Sequence, residues 1–591
     1  MTQTRPATEH TFTSHDGQAI FYRNWNALEQ ADAKRAIVLL HRGHEHSGRV
    51  EHIVNELDMS DTPFFAWDVR GCGHTEGTRG YAKNFMTWVQ DLDQFIQHIN
   101  KTHHIPIENI VVIAQSVGAV FAATATWVHD YAPKIKALIL ASPAFSVKLY
   151  IPFAVEGIAL WQKLAGQFFV KSYVKGKHLT HDTERAASYH TDPLVALPIA
   201  SNVLLELYST SDRVIADAGA IVTPVQLLIS GDDFVVRHKP QHTFFNNLSS
   251  GLKEKHVLPG FFHDTLGEKD RPKAFEFIKS FILKVEAIKH ETSLLDADKK
   301  GYTYNESQEL LKPKASTFFK EISFALTRGS MKMIGKNASK GLKIGVETGF
   351  DSGSSLDYVY LNKPQGLGFW NLIGLGKVID RGYLDSIGWQ GIRTRKVNLE
   401  TLISKYIDVL QKDGKSIRIM DIASGHGRYI LDAIEPKREL VESILLRDYS
   451  DINVKAGAKM IDERNLNAKA QFKNADAFNE ESIALEANPT IGVVSGVYEL
   501  FSENSLLQAS LRGLSRTIPQ GGYLIYTNQP WHPQVELIAR TLNNHAGHDR
   551  WVMRRRTQAE MDQLVEQAGF TKLEQLQDEW GIFTVSVAKK K

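Results

Sequence analysis

The sequence predicts an α/β protein built as two large domains in tandem, and three observations carry that reading. At 591 residues the chain is too long for one core, since domains run to about 150 residues each. Short apolar runs alternate with helical patterns twice, before residue 288 and again after residue 399, the pattern of parallel sheets covered on both faces. Each alternation holds one strand that runs into a tight turn of small residues. These turns are Ala114-Gln115-Ser116-Val117-Gly118 and Asp421-Ile422-Ala423-Ser424-Gly425-His426-Gly427-Arg428.

In the first domain, residues 1–288, the expected strands are Ala36–Leu40, Pro63–Val69, Ile110–Ala114, Ala137–Ala141, Val225–Ile229 and Lys255–Leu258. Between about 143 and 192 the pattern lengthens into amphipathic helices, an insertion placed where a lid would cover a site. A helix over Pro272–Ile288 closes the domain. Residues 289–314 are polar without a clear apolar period, and a linker is expected there. Residues 315–398 form a helical, glycine-rich cap, of which Gly341–Gly391 does not resolve into elements. The second αβ alternation, 399–591, opens with a helix over Leu399–Lys412. Its expected strands are Ile417–Asp421, Ser443–Asp448, Ala470–Lys473, Ile491–Ser495 and Gly522–Thr527, then a closing pair at Leu573–Glu579 and Gly581–Ala588.

Composition narrows the function classes. Apolar residues at 43% and charged residues at 23% are ordinary for a globular protein. A net charge of +2 gives no support to a nucleic-acid partner. The single cysteine, Cys72, excludes an internal disulfide and fits a reducing compartment. Met1–Gly17 lacks the apolar core of a signal peptide, and Ile151–Val170, the most lipid-like stretch, is interrupted by Glu156 and Lys163. A cytoplasmic protein is expected, of unspecified oligomeric state.

A strand, tight turn and helix hold the middle residue in a strained conformation with its side chain exposed. Ser116 occupies that place, and a serine hydroxyl needs a base and the base an orienting carboxylate. In the order serine, acid, histidine, two later strand ends supply Asp233, in Ser230-Gly231-Asp232-Asp233, and His263, in Pro259-Gly260-Phe261-Phe262-His263. Asp232 lies beside Asp233, so the acid can slip by one. The loops His41-Arg42-Gly43-His44-Glu45-His46-Ser47-Gly48 and Asp68-Val69-Arg70-Gly71-Cys72-Gly73-His74 make the specific likeness. Residues 10–285 resemble the monoacylglycerol lipase and lysophospholipase group of α/β-hydrolases. The resemblance implies an α/β-hydrolase fold with a helical lid, an acyl-ester substrate, and oxyanion donors at the Gly43 and Val117 N–H groups.

Three positions depart from that group. Arg42 replaces a glycine, which would narrow the acyl site or add a cation for an anionic head group; Ala114 and Ser230 replace two more. Simpler readings stand beside the chemical ones. His41, His44 and His46 suggest a metal by type, but no carboxylate set stands at ligand spacing, and no metal is expected. Cys72 reads as a turn filler. The lid stripe Ile151, Phe153, Val155, Ile158, Leu160, Trp161, Leu164, Phe168, Phe169 and Val170 allows peripheral membrane contact, although such stripes are more often core.

In the second turn, glycines at alternate positions let a ligand approach the backbone, and the helix start presents free N–H groups. No third glycine follows, which disfavours NAD. Asp448, ending the next strand, is placed for ribose hydroxyls, and Asp476 for an adenine amino group. From about residue 400 onward the chain resembles class I S-adenosylmethionine-dependent methyltransferases, a Rossmann-like fold. The resemblance implies S-adenosyl-L-methionine as cofactor, held by Gly425, Gly427, Asp448 and Asp476, with Asp421 on the methionine side. Ser495-Gly496-Val497-Tyr498 lacks the Asn/Asp-Pro-Pro-Tyr signature of enzymes that methylate adenine or glutamine nitrogens. Tyr498, Glu499 and His532 are candidate acceptor-site bases. Arg554-Arg555-Arg556 reads as a solvated helix start or a phosphate partner.

Together these readings give a bifunctional enzyme, a serine hydrolase of an acyl-lipid ester joined to a methyltransferase with an unknown small or lipid-derived acceptor. The rivals are a chain with one catalytically silent domain, or a hydrolase half that is a peptidase or haloperoxidase.

Overall fold

The computed structural model describes residues 4–28, 35–128, 135–151, 153–287, 293–313 and 317–591. The chain divides into two compact units, Met1–Thr292 and Ser293–Lys591, and both are α/β.

The first unit is built on an eight-stranded sheet. Its strands are β1 (Thr8–Thr13), β2 (Ala19–Trp25), β3 (Ala36–Leu40), β4 (Phe64–Trp67), β5 (Ile110–Gln115), β6 (Ala137–Ala141), β9 (Val225–Ser230) and β10 (Lys253–Leu258); β7 (Phe169–Lys171) and β8 (Pro198–Ala200) form a separate hairpin. The order is β1-β2-β4-β3-β5-β6-β9-β10. From β4 onward neighbours are parallel, while β1 and β2 make an antiparallel edge. β1 and β2 have no counterpart among the expected strands. In β1 only Phe12 is buried, so a wet edge strand carries no apolar run to read.

Helices cover both faces. Phe85–His103 starts where the Asn84 side chain accepts the Thr87 N–H at 2.8 Å, a satisfied N-cap. Pro272–Ala287 packs Phe275, Ile278 and Phe281 against Trp25 and the β3, β5 and β6 core. The insertion between β6 and β9 holds the helices Ala154–Ala165, Thr183–Thr191 and Ser201–Ala216 and the β7–β8 hairpin. It therefore runs past the expected end at residue 192.

The second unit carries a seven-stranded sheet of β11 (Arg418–Asp421), β12 (Ser443–Asp448), β13 (Ala470–Asn474), β14 (Ile491–Val494), β15 (Tyr523–Asn528), β16 (Phe570–Gln577) and β17 (Thr584–Lys590). The order is β13-β12-β11-β14-β15-β17-β16, five parallel strands followed by an antiparallel pair. That is the Rossmann-like arrangement, with both loop-bearing strand ends at its centre.

Two expectations change here. The stretch expected as linker contains the helix Tyr302–Leu311, with Leu310 buried; residues 288–292 and 314–316 lie outside the described residues. The unresolved glycine-rich stretch is a run of short helices, including Lys340–Thr348, Gly353–Leu361, Gly368–Leu372 and Leu375–Leu384, then the long helix Ile387–Lys412. Its glycines are points of close approach. A Cβ on Gly345 would meet the Phe350 ring at 2.4 Å, and one on Gly341 the Tyr383 ring at 2.5 Å. Among the described residues no helix is long and apolar enough to cross a membrane.

Candidate active sites

Ser116 sits between β5 and the helix Val117–Val128 with φ at 58°, the strained region that such a turn imposes. Gly118 explains the small flank, because a Cβ there would stand 2.5 Å from the His41 carbonyl oxygen. The Ser116 hydroxyl lies 2.8 Å from His263 Nε2, and His263 Nδ1 lies 2.8 Å from Asp233 Oδ2. All three are buried. Asp233 Oδ1 also accepts the Val235 and Val236 N–H groups at 2.7 and 2.9 Å. Burial pushes the Asp233 carboxyl up, but His263 and these N–H groups outweigh it and hold the group below its ordinary range. Asp232 turns away and accepts the Gly260 N–H at 3.1 Å.

Gly43 and Val117 face each other, and a Cβ on Gly43 would come within 3.0 Å of Val117 Cγ2. Val117 is the first residue of its helix, so its N–H has no intrahelical acceptor. An alcohol hydrogen-bonded to an imidazole whose other nitrogen faces a carboxylate is set to lose its proton as it attacks a carbonyl.

Arg42 does not enter an acyl site. Its guanidinium is buried, donating to Glu45 at 2.6 and 3.0 Å and standing 3.4 Å from Asp264. Asp264 is tied further to Gln115, at 2.9 Å, and to Arg185 of the insertion. Glu45 resists burial through Arg42 and Arg49, which hold its carboxyl at about 2. Ser230 joins a buried hydroxyl chain, 2.9 Å from Thr265 Oγ1. The three loop histidines have separate partners: Arg42 O, Ala196 O and Asp192. Burial pushes the Cys72 thiol up to about 12, with Asp68 adding to it, so it is a poor nucleophile.

In the second unit Gly425 and Gly427 adopt φ of 57° and 76°. A Cβ on Gly427 would overlap Leu446 at 2.5 Å. Asp448 Oδ2 accepts the Gly425 N–H at 2.9 Å, and Oδ1 accepts from Ser450 and Asn453, both at 2.9 Å. Asp476 is exposed, its Oδ1 accepting the Phe478 N–H at 2.8 Å. Asp421 is fully buried against the Tyr429 hydroxyl, and burial pushes its carboxyl up to about 7. A glycine cradle beside a half-buried and an exposed strand-end carboxylate fits the adenosine half of S-adenosylmethionine in donor and acceptor type. Beside the glycines a smaller space is lined by Gly353, Asp357, Arg395, Ser424 and Ser495, where the Ser495 hydroxyl is buried without a partner.

Beside this loop lies a cavity of about 190 Å³ between the cap helices and the ends of β14 and β15. Leu356 and Arg395 line both spaces. The cavity wall is mostly apolar, with Phe350, Trp389, Ile392 and Trp551 among its members. Two of the three candidate bases reach it. Glu499 lies 3.8 Å from Arg395 through Oε1, and its buried Oε2 has no partner. His532 accepts the Gln534 N–H on Nδ1 at 3.0 Å, and burial with Arg555 lowers it to about 4, so a neutral ring keeps its proton on Nε2. Tyr498 is excluded: its hydroxyl is buried against Ser510 at 2.8 Å, off the cavity wall.

Arg554, Arg555 and Arg556 are neither solvated nor free for phosphate. Arg554 pairs with Glu560 at 2.7 Å, Arg555 with Glu306, and Arg556 donates to the Tyr498 and Phe501 carbonyls. Arg395 is not marked in the sequence, and Ser495 is marked there only as a strand end, without a role. Nothing local marks Arg395, a mid-helix arginine that only tertiary packing brings to the strand ends.

Comparison with known proteins bears on the family. Residues 278–590 match the family described as "Putative methyltransferase". The chain belongs to that family. Residues 31–270 match a second family, described as "Serine aminopeptidase, S33". The chain is 50% identical over 593 residues to the uncharacterized protein YnbC of Escherichia coli K12, covering all of both chains. A monoacylglycerol lipase of Mycolicibacterium smegmatis is 25% identical over 283 residues, 47% of this chain and 97% of that protein. The solved monoacylglycerol lipase of Paleococcus ferrophilus matches at 20% identity and a TM-score of 0.40, covering 45% of this chain and 99% of that one. The chain thus joins an N-terminal α/β-hydrolase domain, related to monoacylglycerol lipases, to a methyltransferase-family domain.

Proposed function

We propose that the chain is a cytoplasmic bifunctional enzyme, hydrolysing an acyl ester in its first domain and transferring a methyl group in its second. The carrying observation is the Ser116–His263–Asp233 relay at 2.8 Å and 2.8 Å. Ser116 Oγ attacks the ester carbonyl while His263 Nε2 takes its proton, then returns it to the leaving alcohol. Asp233 fixes the ring's tautomer. The Gly43 and Val117 N–H groups receive the negative charge of the tetrahedral intermediate. Water activated by His263 then releases the acid. The names of its relatives, monoacylglycerol lipase and phospholipase YtpA, support a lipid ester.

In the second domain Gly425, Gly427, Asp448 and Asp476 hold S-adenosylmethionine, with Asp421 behind the loop. When bound, it supplies an electrophilic methyl group. The protein's part is to position the acceptor in the adjoining cavity, where Glu499 Oε2 is free to take a hydrogen bond from an acceptor hydroxyl or amine.

Turnover of a monoacylglycerol, labelling by a fluorophosphonate, and calorimetry with S-adenosylmethionine test the two halves separately. Ser116→Ala is expected to abolish the first two and leave the third unchanged. Loss of all three would argue against two independent sites. A peptidase reading is favoured only by the family description over residues 31–270; faster cleavage of amino-acid amides than of acyl esters would select it.

A further inference from the structure

The cap helix Phe318–Ser330 contains no buried residue. Phe319, Ile322 and Leu326 fall at i, i+3 and i+7, one stripe of the helix, and are 83%, 43% and 69% exposed. Phe318 flanks them at 75%, and Met333 beyond the helix is exposed to the same degree. Polar groups hold the helix to its neighbours. Arg328 donates to the Arg540 carbonyl at 3.0 Å, and Lys320 reaches Glu536 at 2.7 Å. An ordinary surface helix buries its apolar stripe; here Phe319, Ile322 and Leu326 stay exposed, while Phe324, Thr327 and Arg328 are half-buried on the other side. Phe369, Leu372 and Val378 add a second exposed apolar group on the same cap, at 67%, 84% and 66%.

Charge identifies what would cover this face. From Thr317 to Lys343 the sequence has six cations, Lys320, Arg328, Lys332, Lys336, Lys340 and Lys343, against one carboxylate, Glu321. The whole chain carries only +2. Lys320, Arg328 and Lys332 pair with Glu536, Glu321 and Asp549, so Lys336, Lys340 and Lys343 carry the local excess. Large apolar side chains on a helix flanked by lysines match the chemistry of an anionic lipid interface. Thr327 and Met331 also line the 190 Å³ apolar cavity, so one segment is both exposed apolar surface and cavity wall.

We infer that this cap face docks on an anionic lipid bilayer. Phe318, Phe319, Ile322 and Leu326 enter the headgroup boundary, and the flanking lysines meet lipid phosphates. The test is sedimentation of the full chain with mixed phosphatidylglycerol–phosphatidylcholine vesicles and with pure phosphatidylcholine vesicles. The wild type is expected to favour the anionic vesicles by about ten-fold or more. Phe319→Glu with Leu326→Glu should cut that binding by about ten-fold while leaving the melting transition and the heat of S-adenosylmethionine binding unchanged. A lid pair, Phe153→Glu with Leu164→Glu, is the control. Three results overturn the inference: no binding of wild type to anionic vesicles, cap-variant binding equal to wild type, or a wild-type dimer that the cap variant makes monomeric. The last would mean that a second copy covers the face. Vesicle binding reads neither esterase nor methyl transfer, so failure of either activity leaves this result separately interpretable.

Discussion

Asp233 Oδ2 stands 2.8 Å from His263 Nδ1, whereas the adjacent Asp232 accepts the Gly260 N–H on the other side of the strand end. One residue of register therefore decides which carboxylate orients the imidazole. Asp233→Asn should lower ester turnover by roughly 10⁴-fold through the wrong tautomer, while Asp232→Asn should change it by no more than about three-fold. Stopped assays on one ester, with labelling of Ser116 as a check on folding, decide it.

The same carboxylate is held below its ordinary range, and the sign matters. A depressed folded-state value contributes stability above the unfolded value, which is lost as pH falls through the folded one. The acid arm of the esterase profile should therefore not follow protonation of Asp233 between pH 4 and 7. Asp233→Asn should flatten acid-induced unfolding only at pH values below the usual carboxylate range, readable by fluorescence during an acid titration.

Arg42 stands between Glu45 and Asp264 with little solvent contact. Removing one member of a buried ion network strands the others. Arg42→Met is expected to cost about 3–5 kcal/mol in denaturant unfolding. If Arg42 instead served an anionic head group, the variant would lose KM for anionic esters selectively; parallel changes for neutral and anionic esters are expected.

Asp421 gives the opposite pH signature. Its folded value is raised to about 7 by burial, so between its unfolded value and pH 7 the folded state holds the extra proton. Stability then falls as pH rises through that window and levels off above about 7. Asp421→Asn removes the titration. The unfolding free energy of the wild type relative to the variant should fall from pH 4 to pH 7, by an amount on the order of 4 kcal/mol at most, and stay constant above. A gap independent of pH would show that Asp421 is ionised throughout.

Much of the framework was legible because buried parallel strands advertise themselves. Ala36–Leu40 and Ala137–Ala141 are buried at every residue, and their bounds follow from the apolar runs alone. The serine, acid and histidine were legible by order, since each follows a strand end. What escaped depended on tertiary context. Three consecutive arginines at 554–556 look solvated until Glu560 and Glu306 are brought to them. The cap glycines look like loops until the rings of Phe350 and Tyr383 fill the space a Cβ would need. Arg42 looks like a site residue because the network that buries it, beyond the nearby Glu45, runs through Asp264, more than two hundred positions away in sequence.

An ion pair ties the cap to the glycine loop. Arg428, the first residue of the helix after the loop, donates to Asp357 of the helix Gly353–Leu361 through Nε at 2.5 Å and Nη2 at 3.0 Å, and His426 Nδ1 lies 3.6 Å from the same carboxylate. Burial pushes that carboxyl up, but His426 and Arg428 outweigh it and hold it at about 2. The pair holds this helix over the loop, with Gly353 Cα only 3.5 Å from where a Cβ of Gly425 would be. Asp357→Asn weakens the clamp without changing its shape. It should raise amide exchange across residues 353–361 and speed S-adenosylmethionine association by about three-fold or more, with the thermal transition nearly unchanged. Exchange and stopped-flow measurements on the same protein separate the outcomes, because slower association with faster exchange would mean that the clamp preforms the site instead of closing it.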